Sequence, residues 1–599
     1  MTKQTRLRAL AVGFGLAVCL VAAKPPQISG DGGEYLVYSL NFVALHGPSL
    51  RTRDLEGLKQ EARDYAPHLE DETFYRNAVP GLGGRRDFMH FWFMSLAAAP
   101  FVALAKVVGL PAIYGYAGLN VTMLLGALWV ALPRIGIPAS ILLFASPVVW
   151  WLDKAHPEVF TFTLLAVGVL LVRDKPWWAM IAAGTAATQY PHVIIFVGVI
   201  AVVAVAFHRP WLTDRRFIAG LGAASLVGLL HPAYYYYRHG TPSLLLQVSN
   251  TGAPTPAELS AVLFDPVIGL IANFPMFLVV VATVTVMLVR KGWRGLLAPD
   301  VVVSGAIALF FLWVFGVKDN VHHGATPAIS RYALWFIPLA IPLLRVDRLS
   351  SPAWRRFAWT TAMISAPIYV LAYHPSVPEH GREPTWAAEY LWRQHPAWNN
   401  PLPEVFVGTL GRTEDLDVPV KTEGCEKILI GGPGEAGTWP TPCFPPPLPV
   451  PCGSRGVWCY ANRTAAGYAF LRAPGRWNGV PLVNQDTWPH DAEQTVRRVY
   501  EEWEWRTMRQ NVPQLSALES ARDVRVQSLE GPDRFILVLS EPKPGAALTF
   551  KLPASMTGVL VDARTGQTLQ TLRFSGPAGQ TWGVTIPERP DLMLLAMKR

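Results

Sequence analysis

Apolar residues crowd into the first two thirds of the chain, between about positions 9 and 373. No later window holds the ~18 consecutive apolar residues that a membrane span needs. The N-terminus reads Lys3, Arg6, Arg8 and then an apolar run from Ala9 to Ala23. This is either a signal peptide, with Val21-Ala22-Ala23 as its processing site, or a retained first span. In both cases the chain emerges outside at Lys24. The later apolar stretches predict spans near 112–132, 138–152, 158–172, 176–188, 191–207, 217–236, 267–289, 300–317, 330–344 and 356–373. One further stretch, Phe88 to Val108, decides the orientation. If it crosses, Arg134, Arg173/Lys175 and Arg209/Arg215/Arg216 all land outside, against the positive-inside rule. If it lies at or re-enters the outer face, these clusters fall inside, as do Arg290/Lys291/Arg294 and Arg345/Arg348/Arg355/Arg356. The expectation is therefore an α-helical polytopic protein of about eleven spans in an inner (cell) membrane. Its N-terminus is cytoplasmic and its C-terminal domain extracytoplasmic.

That orientation gathers the unusual polar residues on one face. The outward connections become 24–111 (a first outer loop with interfacial helices), 153–157, 189–190, 237–266 and 318–329, plus the tail. Asp31, Glu34, His90, Asp153, His156, Glu158, Tyr190, His192, Asp265, Lys318, Asp319, His322, His323 and Arg331 lie on or just beneath that face. Ion-coupled transporters typically place such groups near the midplane. The pattern points to a site at the outer membrane–water boundary. Asp265, before Pro266, reads as a turn or helix-start residue, and Tyr234 to Tyr237 as an aromatic belt.

Composition sharpens this in two places. The chain is 51% hydrophobic and only 16% charged, against about a quarter charged in soluble proteins. The net charge of +9 does not make it a nucleic-acid binder, because much of the basic excess sits in short loops between apolar stretches. Cys19 lies in the first apolar segment, while Cys425, Cys443, Cys452 and Cys459 fall in the polar tail without any Cys-x-x-Cys spacing. Two disulfides in an oxidising compartment are expected, with the three pairings open.

Residues 1–373 thus read as the transmembrane domain and 374–599 as an extracytoplasmic domain. Within the tail, 400–490 reads as irregular structure stapled by the cysteines, Asp491 to about Gln514 as a helix, and 534–599 as a small antiparallel β-sandwich. Asn462-Arg463-Thr464 has the N-glycosylation pattern.

Ser29-Gly30-Asp31-Gly32-Gly33-Glu34-Tyr35-Leu36, followed by a long polar loop and an apolar helix, resembles the first outer loop of GT-C glycosyltransferases. These include the protein O-mannosyltransferases and the lipid A aminoarabinose transferases. His156-Pro157-Glu158 opening a span, Phe264-Asp265-Pro266-Val267-Ile268-Gly269-Leu270, and His323-Gly324 through Ser330-Arg331-Tyr332 fit the same pattern. In this chain Gly32 and Gly33 separate the two first-loop acids. The resemblance implies transfer of a sugar, with inversion, from a polyprenyl-phosphate donor to a glycan, lipid or protein acceptor.

Such transfer needs a base for the acceptor and charge stabilisation for the leaving phosphate. The resemblance makes Asp31 the candidate base, with Glu34 beside it; the same pair has the spacing of a helix capping box. Glu158 is a second carboxylate, able to orient the acceptor or to bind a divalent metal (Mg or Mn) with Asp31, or else a charge favoured at a helix N-terminus. His156 is the remaining catalytic candidate. Arg331 offers a planar fork suited to phosphate oxygens, with Lys318, His322 and His323 adding positive potential. Two other classes stay open: a transporter or flippase of lipid-linked material, and a non-catalytic membrane scaffold with a binding tail.

Overall fold

The computed structural model describes residues 2–23, 31–51, 78–80, 85–244, 254–292, 297–316, 329–345, 352–377, 384–410, 420–431, 458–474 and 518–598, the last two with short breaks, together with 26, 28 and 443. The chain forms two compact units. One comprises 1–45, 91–230 and 249–481, the other 46–90, 231–248 and 482–599.

The first unit is built from apolar helices. Four helices among the described residues are long and apolar enough to cross a membrane: Lys3–Ala22, Tyr114–Phe144, Arg215–His239 and Pro299–Gly316. The expected count of about eleven spans is therefore not supported. The other apolar stretches do fold as helices, but Glu158–Leu171 has 14 residues and Pro176–Ala187 has 12. At 1.5 Å per residue these reach only about 20 Å of a ~30 Å hydrocarbon core. Proline and glycine account for much of the shortening. The stretches expected at 112–132 and 138–152 are two arms of one element, broken at Gly136 (φ 77°, ψ 172°) between Pro133 and Pro138. The left-handed φ is one that glycine adopts without a Cβ penalty. The segment expected at 330–344 is split into short turns by Pro338 and Pro342.

Two helices of this unit approach backbone to backbone. A Cβ on Gly184 would lie 2.4 Å from the Ala224 carbonyl oxygen, and one on Gly220 would lie 2.5 Å from Trp177 Cβ. Small residues at such crossings let helices pack in lipid, where no hydrophobic force drives them together. Gly184→Ala is expected to destabilise the unit by about 1–3 kcal/mol through overpacking. Unfolding in detergent checks this, and an unchanged midpoint would show that the crossing can relax.

Part of the tail packs into the same unit. Instead of irregular structure, 400–490 contains the helix Pro403–Leu410 and a four-stranded antiparallel sheet in the order Val420–Lys421, Lys427–Gly431, Trp458–Thr464, Gly467–Arg472. The Cys425–Cys443 disulfide sits beside it, and Cys459 is also disulfide-bonded; Cys452 lies outside the described residues. The sequon at Asn462 is closed to a glycan. Its side chain is fully buried, accepts from Lys427 Nζ (2.6 Å) and donates to Asn400 Oδ1 (3.1 Å).

Lys427 is itself fully buried, and desolvation pushes its pKa down to about 7. It gives its protons to Pro396 O, Asn400 Oδ1 and Asn462 Oδ1 and lies 4.4 Å from the Tyr460 ring. A free lysine titrates near ~10.4. Between these values the unfolded chain binds more protons than the folded one, so stability rises with pH from about 7 to ~10. The slope stays below ~1.4 kcal/mol per pH unit. Denaturation at pH 7 and pH 9.5 should show this slope in the wild type and its loss in Lys427→Met; equal slopes would rule it out.

The second unit holds a short ribbon, Ala78–Pro80 against Arg86–Phe88, and the C-terminal sheets. Asp87, fully buried in that ribbon, accepts from Arg238 Nε (2.8 Å), His239 Nε2 (3.0 Å) and the Tyr234 hydroxyl, while the Tyr235 hydroxyl donates to Phe88 O (2.8 Å). Of the four tyrosines expected in an aromatic belt, Tyr236 and Tyr237 are exposed, whereas Tyr235 is buried. Losing one hydrogen bond to a buried charge costs ~1.5–3 kcal/mol. That is the destabilisation expected of Tyr234→Phe by thermal unfolding; no change would show that the hydroxyl contributes nothing.

The stretch expected to form a β-sandwich folds as two antiparallel sheets. One has the order Thr568–Phe574, Met556–Asp562, Leu592–Lys598, Arg534–Ser540, Arg525–Glu530; the other Thr581–Thr585, Ala547–Lys551, Leu518–Arg522. Every second residue points inward, as the pleat requires. Phe535, Leu537 and Leu539 pair with Ala596, Leu594 and Leu592 and share one apolar core with Leu548 and Phe550. The sheets begin at Leu518, ahead of the expected 534, because the polar edge strand Leu518–Arg522 carries no apolar alternation. The helix expected from Asp491 lies outside the described residues.

Candidate functional site

Within the first unit, three starting turns bring charged side chains together. The helix Gly32–Val43 begins after Asp31, the helix Glu158–Leu171 begins at Glu158, and a 3-10 turn begins at Arg331. Acidic groups are favoured at helix N-termini by the backbone dipole. The loop before Glu158 is fixed by Asn120, whose Nδ2 lies 3.1, 3.3 and 3.0 Å from the carbonyl oxygens of Trp151, Leu152 and Lys154. The first helix is fixed by the buried Tyr116, whose hydroxyl donates to Tyr35 O at 2.6 Å and bonds Ser39 Oγ at 2.6 Å. Ser330 N donates to Ile268 O (2.9 Å) and sets the start of the Arg331 turn.

Glu158 is the centre of the cluster and is fully buried. Its Oε1 accepts from the Tyr190 hydroxyl at 3.1 Å and lies 4.0 Å from Arg331 Nη1. Its Oε2 lies 3.4 Å from His156 Nδ1. The other side of the same guanidinium nitrogen meets Asp31 Oδ2 at 3.5 Å. Arg331 is only 7% exposed, whereas the Asp31 side chain retains 30% exposure. The result is a chain Asp31–Arg331–Glu158 with His156 and Tyr190 at its inner end and one carboxylate open at its outer end.

The structure bears on the alternatives for these residues. Asp31 makes no side-chain cap hydrogen bond, and its backbone is αR (φ −67°, ψ −1°) rather than the extended conformation of an N-cap, so the capping box with Glu34 does not form. Glu34 is buried in the first turn of the same helix. Arg331 stands between Asp31 and Glu158, the place a shared divalent cation would take. The pair therefore does not fit a joint metal site. Asp265 is a turn residue: its Oδ1 accepts from Val267 N (2.7 Å) and Ile268 N (3.2 Å), while burial raises its carboxyl to about 6. Lys318, His322 and His323 lie outside the described residues.

Tyr190 and Trp335 belong to the site but carried no role in the sequence. Their rings meet at 4.2 Å, and the only signal was a polar Tyr190-Pro191-His192 break between apolar runs. Around them, buried polar atoms stand without a hydrogen-bond partner among the described residues: Gln189 Oε1 and Nε2, Trp335 Nε1 and Arg331 Nε. Such atoms are rare in folded proteins and mark hydrogen-bonding capacity. What the geometry defines is an enclosed charged cluster with a part-exposed aspartate at one end, in a chain whose described residues include four helices long and apolar enough to cross a membrane. Compared with protein-family models, curated proteins and solved structures, the chain has no match.

Proposed function

We propose that the chain is a membrane glycosyltransferase of the GT-C type, moving a sugar from a polyprenyl-phosphate donor to an extracytoplasmic acceptor with inversion. The observation that carries this reading is Asp31: a part-exposed carboxylate, free of any capping role and held by a buried guanidinium. As base, Asp31 takes the proton of the acceptor hydroxyl while that oxygen bonds to the sugar's anomeric carbon. The bond from that carbon to the phosphate oxygen breaks, and the lipid phosphate leaves with the electron pair. Arg331 positions Asp31 and, through Glu158, ties it to His156 and Tyr190. With its fork shared by two carboxylates, it is a positioning residue more readily than the donor-phosphate ligand. Gln189 and Trp335 offer neutral hydrogen-bonding groups of the kind that sugar hydroxyls use.

A second reading, transport of lipid-linked material, is favoured by the complete burial of Glu158 at the start of an apolar helix. Labelled polyprenyl-phosphate sugars, offered to membranes carrying the wild-type chain, separate the two. Label appearing on an acceptor supports transfer. Label crossing the membrane still attached to its lipid supports transport.

A further inference from the structure

Beyond the last apolar helix, the tail presents a ribbon of exposed rings. Trp386 is 80% exposed, Trp398 75% and Tyr390 48%. The rings run in sequence: Trp386 against Tyr390 at 5.9 Å, Tyr390 against His395 at 5.8 Å, and His395 stacked on Trp398 at 4.1 Å and 12°. They are not loose ends. The helix Trp386–Gln394 buries Ala388 and Trp392 on its other side. The turn carrying His395 and Trp398 is clamped twice, by Trp392 Nε1 donating to Asn399 Oδ1 (2.7 Å) and by Lys427 Nζ donating to Pro396 O (2.7 Å) and Asn400 Oδ1 (2.6 Å). A buried lysine is thus spent on holding a surface turn that displays a tryptophan to solvent.

The position of the ribbon says what covers it. Thr385, the N-cap of this helix, donates its hydroxyl to Pro266 O (2.7 Å), just past the end of the helix Pro256–Phe264. The stretch leading to it is tied to Asn273 O by Tyr373 (3.2 Å), to Trp150 Nε1 through Val377 O (2.8 Å) and to Lys154 Nζ through Pro375 O (3.1 Å). The ribbon therefore starts at the level where the apolar helices end. Leu371 (71% exposed), Ile368 (57%) and Phe264 (59%) turn apolar side chains outward near those ends. The ribbon's one cation, Arg393, is 3.0 Å from both Glu389 and Glu423. Rings with an apolar body and a polar edge are favoured at the headgroup level of a bilayer, and amphipathic helices seat their apolar face ~5–10 Å into it.

We propose that Trp386, Tyr390 and Trp398 form an interfacial anchor that seats the tail on the headgroup–acyl boundary of the lipid bilayer. This goes beyond the transfer reaction and stands or falls independently of it. The test uses the full chain with Cys19→Ser, carrying Trp398→Cys or Trp386→Cys labelled with bimane, in phosphatidylethanolamine/phosphatidylglycerol vesicles. Ala465→Cys, in the exposed turn after Trp458–Thr464, serves as the aqueous reference. Because both tryptophans are mostly exposed, the variants are expected to keep the parent unfolding midpoint in detergent. Vesicles containing dibromo-phosphatidylcholine should quench the labels at 398 and 386 at least twofold more than the reference, and aqueous iodide should quench them at least twofold less. Iodide quenching equal to the reference would overturn the proposal. So would shielding from iodide that appears only when soluble oligosaccharide is added, which would make the ribbon a sugar platform.

Discussion

Asp31→Asn is expected to lower sugar transfer from a polyprenyl-phosphate donor by about 10²–10⁴-fold, the range in which a positioned general base contributes. The substitution keeps the size of the side chain and removes its charge and its ability to take a proton. The fold should tolerate it, because Asp31 makes no cap bond and is 30% exposed. Asp31 remains part-exposed to water, and Arg331 retains Glu158 at 4.0 Å, so its charge is not left alone. A wild-type unfolding midpoint together with lost transfer therefore separates chemistry from structure. The profile should also split: the maximal rate falls while the donor KM stays near the wild-type value, since a base acts in the transition state rather than in ground-state binding. Full transfer by well-folded Asp31→Asn would leave the transferase reading in place and remove Asp31 as its base. A raised KM at unchanged maximal rate would recast Asp31 as a binding residue.

Much of this cluster was legible in the sequence, for a physical reason. Asp31, His156, Glu158 and Arg331 each interrupt or border an apolar run, where a charge is costly unless partnered, so their positions stood out. The partnerships did not. Tyr190 stood among the polar residues of the outer face without an assigned role, yet its hydroxyl bonds Glu158. The Asp31/Glu34 spacing matched a capping box that the backbone at Asp31 does not permit. Element type was easier to read than length: the apolar stretch at 300–317 became Pro299–Gly316 almost unchanged, but a window of hydropathy is blind to the break at Gly136. In the tail, Asn462 carried a glycosylation pattern that depends on exposure, but it sits paired on both sides within a sheet and its side chain bonds Lys427, 35 positions away in sequence.

Glu158→Ala is expected to be the most damaging single change to the helical unit, costing about 3–5 kcal/mol. It leaves Arg331 buried with one partly exposed partner and deprives the Tyr190 hydroxyl of its acceptor, and breaking a buried charge pair from one side carries a cost of that size. Glu158→Gln keeps an acceptor at Oε1 and removes only the charge, so it should cost less, about 1–3 kcal/mol. The decisive variant is the pair Glu158→Leu with Arg331→Leu. Removing both charges and filling the space with apolar groups is often neutral or stabilising, so the double variant should recover most of what Glu158→Leu alone loses. A double-mutant cycle on unfolding in detergent measures that coupling, and additive losses would show that the 4.0 Å contact carries no interaction. Function should not return with stability. If the cluster exists to hold Asp31, the double variant folds as well as the wild type and still transfers poorly, because Asp31 has lost the guanidinium that aims it. Recovery of both would make the buried triad a device of folding alone and leave Asp31 to act without it.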